Sequence, residues 1–357
     1  MKKVFLCIPT LRMGGAEKFV VDLATTIDKE EFDVCVVVTY GLNDNKYKEK
    51  LKNSNIKIIN VAHGTNRLWT IFELIKLFFR EKPDVVHANI GSLQYVLLPA
   101  VLCGVKKKLF TVHSMAYRIA GGCMKKIYNL AFHYLGFKPV CISKIVAESI
   151  VQEYGLQSEL VTTVNNGIDI QRFAPAVSST NGEVTFINVG TLYYIKNHKY
   201  LIECFYEVHK ANPKTKLIIV GDGELREELD GLIRKLNLEK AVSLVGNQND
   251  VSAYLKRSDI YVSTSLVEGL PLSILEGMAC GLPVIANKVG GIPDIVNEGK
   301  NGLLIKLDDR KAFIEAMLSL ANDNFKRKAY GKKSRDIVCS QWSLEQCVKG
   351  YEKLYLG

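Results

Sequence analysis

A chain of 357 residues is too long for one ordinary domain and suits two of roughly 150–200 residues each. With 48% hydrophobic and 24% charged residues it is a globular protein whose core needs no disulfide staples, and its nine cysteines form no CxxC pair. That pattern indicates neither a zinc site nor a redox pair and fits a reduced, cytosolic compartment; the net charge of +10 arrives without any recognisable nucleic-acid module, so nucleic acid is not an expected partner.

The opening run Val4–Pro9 has only five apolar residues before proline and no cleavage site after it, so it is a first buried strand rather than a signal peptide. Gly14 and Gly15 follow, then a helical pattern from Ala16 to Thr26. Strand-like Asp33–Thr39 and Ile56–Val61, a helix from Leu68 to Arg80, and strands at Val85–Ala88, Lys108–Val112, Pro139–Ile142 and Leu160–Val164 complete one α/β series. The apolar stretch from Tyr95 to Val105 is too short to span a bilayer and contains Pro99. The segment 165–183, rich in Asn, Ser, Gly and Pro, is the best linker candidate. A second series follows: Val184–Val189, a helix near Lys199–Lys210, Lys216–Val220, a helix near Leu225–Leu236, Val242–Val245, Asp259–Val262, a helix from Pro271 to Cys280, Pro283–Ala286 and Gly302–Ile305. Helical spacing returns from Ser343 to Leu356. Alternation of this kind implies parallel sheets in a doubly wound α/β architecture, with domains at 1–170, joined by the returning helix 343–357, and at 183–341.

Charge is concentrated in the first half: residues 1–175 hold 23 Lys and Arg against 15 Asp and Glu. From Val85 to Ala147 there is no acidic residue, while Lys106, Lys107, Lys108, Arg118, Lys125, Lys126, Lys138 and Lys144 interleave with Tyr117, Ile119, Met124, Ile127, Tyr128, Leu130 and Phe132. Such a stretch suits an anionic bilayer surface and equally suits the solvated exterior of a basic protein.

The segment most informative about chemistry runs from Ser263 to Glu276. A strand ends, a glycine turn follows, and Pro271 is expected to open a helix at its first position. The first amides of that helix lack intrahelical partners and can bind a phosphate or sugar oxygen. Glu268 precedes the helix and Glu276 lies within it, so both carboxylates can reach a crevice at the strand's carboxyl end, or merely decorate a helix N-terminus whose dipole favours acids. Gly14-Gly15 is not the GxGxxG of a dinucleotide site; two adjacent glycines either let a ligand approach the backbone or make a tight turn. His113 ends a strand, where a lone histidine is either a structural hydrogen-bonder or a site residue.

Glu268-Gly-Leu-Pro-Leu-Ser-Ile-Leu-Glu276 followed by Gly-Met-Ala-Cys-Gly-Leu-Pro-Val-Ile-Ala286 resembles the EX7E segment of the family-4 retaining glycosyltransferases. The resemblance continues through Ile219-Val-Gly-Asp-Gly223, Val245-Gly246, Gly290-Gly-Ile-Pro-Asp294 and Asn301-Gly-Leu-Leu304, and in the first half through Gly14-Gly-Ala-Glu17 and Asn166-Gly-Ile-Asp169. It implies two facing Rossmann-like domains (the GT-B fold) with a C-terminal helix crossing back to the first. It also implies transfer of a hexose-type sugar, commonly from a UDP-sugar, to a saccharide or lipid-linked saccharide as in bacterial capsule or exopolysaccharide assembly, at the inner face of the membrane and without a metal or other cofactor. By the same resemblance Glu276 holds the ribose; Glu268 contacts the donor sugar; Gly14, Gly15, Gly269, Leu270, Pro271 and Leu272 line sugar and diphosphate; Lys196 neutralises the diphosphate; and His113 stands beside the sugar. Asn89 is a further candidate for reaching donor or acceptor. Thr191 departs from the pattern, because many relatives carry arginine there; His198 and Lys199 are candidates to replace it. A nucleotide-sugar epimerase or hydrolase, or a non-catalytic nucleotide-sugar-binding protein, is the alternative on the same fold.

Overall fold

The computed structural model describes residues 1–12, 14–42, 44–62, 66–119, 121–175 and 182–357. The chain divides into two compact units, one of Met1–Gly167 with Leu344–Gly357 and the other of Ile168–Ser343. Of the linker candidate 165–183, residues 176–181 lie outside the described residues.

The first unit runs β1 (Lys2–Thr10), α1 (Gly15–Thr26), β2 (Phe32–Gly41), α2 (Lys46–Asn53), β3 (Lys57–Asn60), α3 (Arg67–Glu81), β4 (Val85–Asn89), α4 (Leu93–Leu102), β5 (Lys107–Val112), α5 (Ala116–Ile119), α6 (Cys123–His133), β6 (Phe137–Cys141), α7 (Lys144–Tyr154) and β7 (Thr162–Thr163). Its strands pair in parallel in the order β3-β2-β1-β4-β5-β6-β7. A parallel sheet covered by helices on both faces needs strands that are apolar along their length. Accordingly Val4 to Ile8 in β1 and Val34 to Val38 in β2 are all buried. The strand expected at Leu160–Val164 is shorter: Ser158–Leu160 close a tight turn, and Thr162 and Thr163 pair with Val140 and Cys141.

The second unit repeats the winding. It runs β8 (Val184–Val189), α8 (His198–Ala211), β9 (Thr215–Val220), α9 (Arg226–Lys235), β10 (Val242–Leu244), α10 (Ser252–Leu255), β11 (Ile260–Ser263), α11 (Leu272–Ala279), β12 (Val284–Asn287), α12 (Ile292–Ile295), β13 (Gly302–Ile305), α13 (Arg310–Asn322) and α14 (Asn324–Gln341). The parallel order is β10-β9-β8-β11-β12-β13. In both units the winding reverses beside the first strand, between β1 and β4 and between β8 and β11. The carboxyl ends of such neighbours are where open α/β sheets bind ligands.

The last helix, α15 (Leu344–Leu356), belongs to the first unit, where Cys347, Val348, Tyr351 and Tyr355 join the core formed with β1, β2 and α1. His87 is buried against it: its Nδ1 lies 2.6 Å from the Tyr355 hydroxyl, its Nε2 2.6 Å from Thr111 Oγ1, and its ring stacks on Tyr351. That network gives His87 a packing role.

The acid-free stretch from Val85 to Ala147 does not make one basic, aromatic face. It winds through strands and helices of different layers, and Tyr128 and Phe132 are core residues against Phe110, at ring distances of 5.3 and 5.9 Å. Lys107 and Lys108 donate to the carbonyls of Tyr355 and Val105, and Lys125 pairs with Glu153. Among the described residues no helix is long and apolar enough to cross a membrane.

Candidate functional site

In the second unit, the loops leaving β8 (190–197) and β11 (264–271) are stitched together by a main-chain bond and by the Thr264 hydroxyl. The Leu266 amide donates to the Ile195 carbonyl at 2.8 Å, and Thr264 Oγ1 lies 3.1 and 3.0 Å from the carbonyls of Lys196 and Asn197. This stitching brings together two side chains that are 72 positions apart: Lys196 Nζ lies 2.5 Å from Glu268 Oε1, with 21% and 11% of the two side chains exposed. Ser265 Oγ donates to the same Oε1 at 2.7 Å, and Oε2 has no protein donor among the described residues.

Backbone packing below fixes the position of Glu268. Gly290 has φ +51°, and a Cβ there would stand 1.7 Å from the Glu268 carbonyl oxygen. The next amide, of Gly291, donates to the Gly269 carbonyl at 3.0 Å. Gly221, at φ +140°, meets the β8 loop as closely, since a Cβ there would lie 2.0 Å from Gly190 O. Any side chain at either position would be strained and would push the loop away.

Helix α11 begins at Leu272, with Pro271 at its N-cap (φ −78°, ψ 94°) rather than at the first helical position. Proline offers no side-chain cap, so the first amides of α11 remain available to a ligand oxygen beside the half-buried Glu268, Gly269 and Leu270. Glu276 is half-buried on the same helix.

Comparisons with known proteins give the family and the fold. The family described as "Glycosyl transferases group 1" matches residues 169–337, and "Glycosyltransferase Family 4" matches residues 13–172. The chain belongs to the family-4 glycosyltransferases. An Escherichia coli relative, UDP-Gal:alpha-D-GlcNAc-diphosphoundecaprenol alpha-1,3-galactosyltransferase, is 29% identical over 309 residues, 80% of this chain and 79% of that one. A Campylobacter jejuni relative, N-acetylgalactosamine-N,N'-diacetylbacillosaminyl-diphospho-undecaprenol 4-alpha-N-acetylgalactosaminyltransferase, is 27% identical over 362 residues, with 94% of each chain covered. Among solved structures, Anabaena HepE in complex with UDP superposes with a TM-score of 0.83 at 20% identity over 99% of both chains, which makes the fold of this glycosyltransferase GT-B.

At Thr191 of this glycosyltransferase neither replacement cation is free. His198 is fully buried and its Nε2 bonds Asn188 Oδ1 at 2.9 Å; burial, with the Lys196 charge adding, pushes its pKa down to about 4, so it is neutral. Lys199 turns to Glu228 at 3.8 Å. Lys196 is thus the cation that the geometry sets beside Glu268.

The glycosyltransferase's first unit carries the remaining candidates. Gly14 caps α1, and Glu17 curls back over it: Thr10 Oγ1 donates to Glu17 Oε1, and a Cβ on Gly14 would stand 2.4 Å from Oε2. His113 follows β5; its Nε2 lies 2.9 Å from Asn89 Oδ1 and its ring meets Phe19 edge-on at 5.1 Å. Asn89 ends β4 and is buried, its Nδ2 pointing at the carbonyls of Cys7 and His87 at 3.3 and 3.4 Å. Oδ1 therefore faces the histidine, which must carry its proton on Nε2 and present Nδ1 as an acceptor. Burial pushes the His113 pKa down to about 3, so the ring is neutral. His133 bonds the Tyr154 carbonyl, and His63 lies outside the described residues.

The structure adds residues that sequence reasoning passed over. Ser265 holds Glu268; Asn188 spans from Val262 to His198; and Asn287 ties β12 to the Thr264 carbonyl at 3.0 Å. For Asn188 and Asn287 the available signal was a polar residue in an otherwise apolar strand, because a buried amide must find partners; Ser265 lies in a loop and gave none.

Proposed function

We propose that this glycosyltransferase moves a hexose-type sugar from a UDP-linked donor to a hydroxyl of a saccharide carried on a lipid diphosphate, with retention of configuration and with no metal, at the inner face of the membrane. The observation that carries the reading is the Lys196–Glu268 pair beside the open N-terminus of α11, at the reversal point of the second sheet. The donor's diphosphate takes Lys196 and the amides of Leu272 and its neighbours; the sugar lies along Glu268, Gly269, Leu270 and Pro271; Glu276 accepts from the ribose hydroxyls. Negative charge on the diphosphate grows as the glycosidic bond breaks, and a fixed cation and helix dipole stabilise it without reorganisation. The acceptor hydroxyl attacks the face that the leaving group vacates, with a diphosphate oxygen taking its proton, so Glu268 and Glu276 bind and orient rather than act as an acid and nucleophile pair. Gly14, Gly15 and the neutral His113 are the first unit's own candidates for contact with sugar and diphosphate. The E. coli and C. jejuni relatives are named for alpha-linked products on diphosphoundecaprenol saccharides, and an alpha product from an alpha-linked UDP-sugar keeps its configuration.

The test is transfer from a panel of UDP-sugars to a diphosphoprenyl-linked N-acetylglucosamine in EDTA, with the new anomeric coupling read by NMR. An alpha product in EDTA is expected. A beta product overturns retention, rescue only by added metal overturns metal independence, and acceptor-independent release or epimerisation of the sugar overturns the transfer assignment.

A further inference from the structure

We propose that the outer face of α3, with the C-terminal end of α4, is a bilayer-docking surface that seats the first unit on anionic phospholipid; the choice of a bilayer as partner rests on the lipid-linked acceptor proposed above. Helix α3 fills its share of the core with Leu74, Leu77 and Phe78, all buried. Its outer face nevertheless carries Trp69, Phe72 and Phe79, exposed by 47%, 45% and 57%. Their spacing of three and seven residues puts them on one side of the helix. Beside them α4 ends in Leu98 and Leu102, 48% and 54% exposed, and the helices touch where Cys103 Sγ lies 3.8 Å from the Ile75 carbonyl. Single exposed apolar residues are ordinary, but three rings on one side of a helix, with two exposed leucines on the helix that adjoins it, mark an interaction site.

The charge around the patch selects the partner. Lys76 Nζ lies 4.3 Å from the Phe72 ring centroid, and Arg80, Lys82 and Lys106 are exposed around the C-terminal ends of the two helices. The acids are outnumbered: Glu73 pairs with Lys76 at 3.2 Å, Glu81 is shared by Lys3 at 3.0 Å and by Lys57 and Arg80 at 3.4 Å, and Lys82 and Lys106 remain as further cations. Aromatic rings flanked by long cations suit the headgroup layer, where the rings bury and the ammonium and guanidinium groups reach lipid phosphates. An acidic protein partner would meet the same cations but would leave no reason for the rings to be aromatic along the whole face.

The chain has two tryptophans, and Trp342 is buried in the core of the second unit, so Trp69 is a built-in reporter. The full chain is mixed with vesicles of phosphatidylcholine alone or with 30% phosphatidylglycerol, at low salt and in about 0.5 M salt, where the Debye length falls to a few ångströms. Expected are sedimentation with the anionic vesicles, its weakening by salt, and quenching of about half the tryptophan emission by brominated lipid, lost in Trp69→Phe. The triple variant Trp69→Ser/Phe72→Ser/Phe79→Ser should partition at least about a hundredfold more weakly, since each buried ring contributes on the order of tenfold. Its melting temperature and UDP-induced shift should match the parent's. Tyr134→Ser, at a residue 78% exposed in the acid-free stretch, should dock normally. Parent protein left in the supernatant, docking without quenching, a triple variant that docks like the parent, or a dimer that hides Trp69 from lipid would each overturn the assignment. Transfer to a short-chain, water-soluble diphosphoprenyl saccharide is read separately. Its absence would overturn the acceptor reading and leave vesicle docking to be judged by its own data.

Discussion

Glu268→Gln keeps the shape of the side chain that holds Lys196 and removes its charge. The two lie 2.5 Å apart with 21% and 11% of their side chains exposed, so the lysine is mostly desolvated and relies on the carboxylate. Breaking a fully buried pair costs about 3–5 kcal/mol; the solvent that reaches Lys196 reduces this to about 1–2 kcal/mol. For a unit of this size each kcal/mol moves the melting temperature by about 2–4 °C, so the variant should melt roughly 2–8 °C below the parent. UDP carries no sugar for Glu268 to contact, and its diphosphate can take over the stranded cation. The same 1–2 kcal/mol should then reappear as UDP binding about 5- to 30-fold tighter than the parent's. Lys196→Met should weaken UDP instead. Differential scanning fluorimetry with and without UDP, and titration calorimetry, read both quantities. If Glu268→Gln weakens UDP as Lys196→Met does, Lys196 is not shared between carboxylate and diphosphate, and the assignment of both residues falls.

Ser265→Ala removes one donor to Glu268. A loss of about 1 kcal/mol, roughly fivefold in kcat/KM, is expected, with Ser265→Thr restoring it. Glu276→Ala should raise the KM for donor with little change in kcat, whereas Lys196→Ala should lower kcat more than donor affinity; steady-state kinetics on a UDP-sugar separates the two. Burial depresses the pKa of His87 and His113 to about 3 and of His198 to about 4. Each is neutral when folded and has an ordinary pKa when unfolded. Their contribution to stability is therefore full above about pH 6.5 and drains away as pH falls toward 3–4. The melting temperature should drop across that window, more shallowly in His198→Gln. His113 should not titrate between pH 5.5 and 8, and a kcat/KM limb in that range that vanishes in His113→Gln would contradict its neutrality.

The parallel α/β architecture could be read from the sequence because two-sided burial leaves near-continuous apolar runs such as Val34 to Val38. The Ser263–Glu276 segment was legible for a different reason: a strand end, a glycine and a proline punctuate it strongly. Helix α14 left no such trace, since only Gly331, Ser334, Ile337 and Val338 of its eighteen residues are buried, a stripe too narrow and polar to show a period. Helix α2 buries Leu51 alone. In α6 the mixture of lysines and aromatics suggests a surface, whereas Tyr128 and Phe132, spaced by four, are the inward face. The approach of Lys196 to Glu268 across 72 positions depends on two loops stitched by one main-chain bond and the Thr264 hydroxyl, which no periodic pattern announces.

The placement of α15 reorders the protein's own synthesis. The ribosome makes β1 to β7 first, yet the core of that unit is open until residues 344–356 emerge, after the entire second unit. At about 5–20 residues per second that interval is on the order of ten to thirty seconds. Throughout it His87 and Thr111 lack the tyrosine hydroxyls they later bond, and the apolar flank of α1 lacks its cover. The half that is translated first is completed last, so nascent chains stalled before residue 344 are the ones a chaperone or protease would recognise.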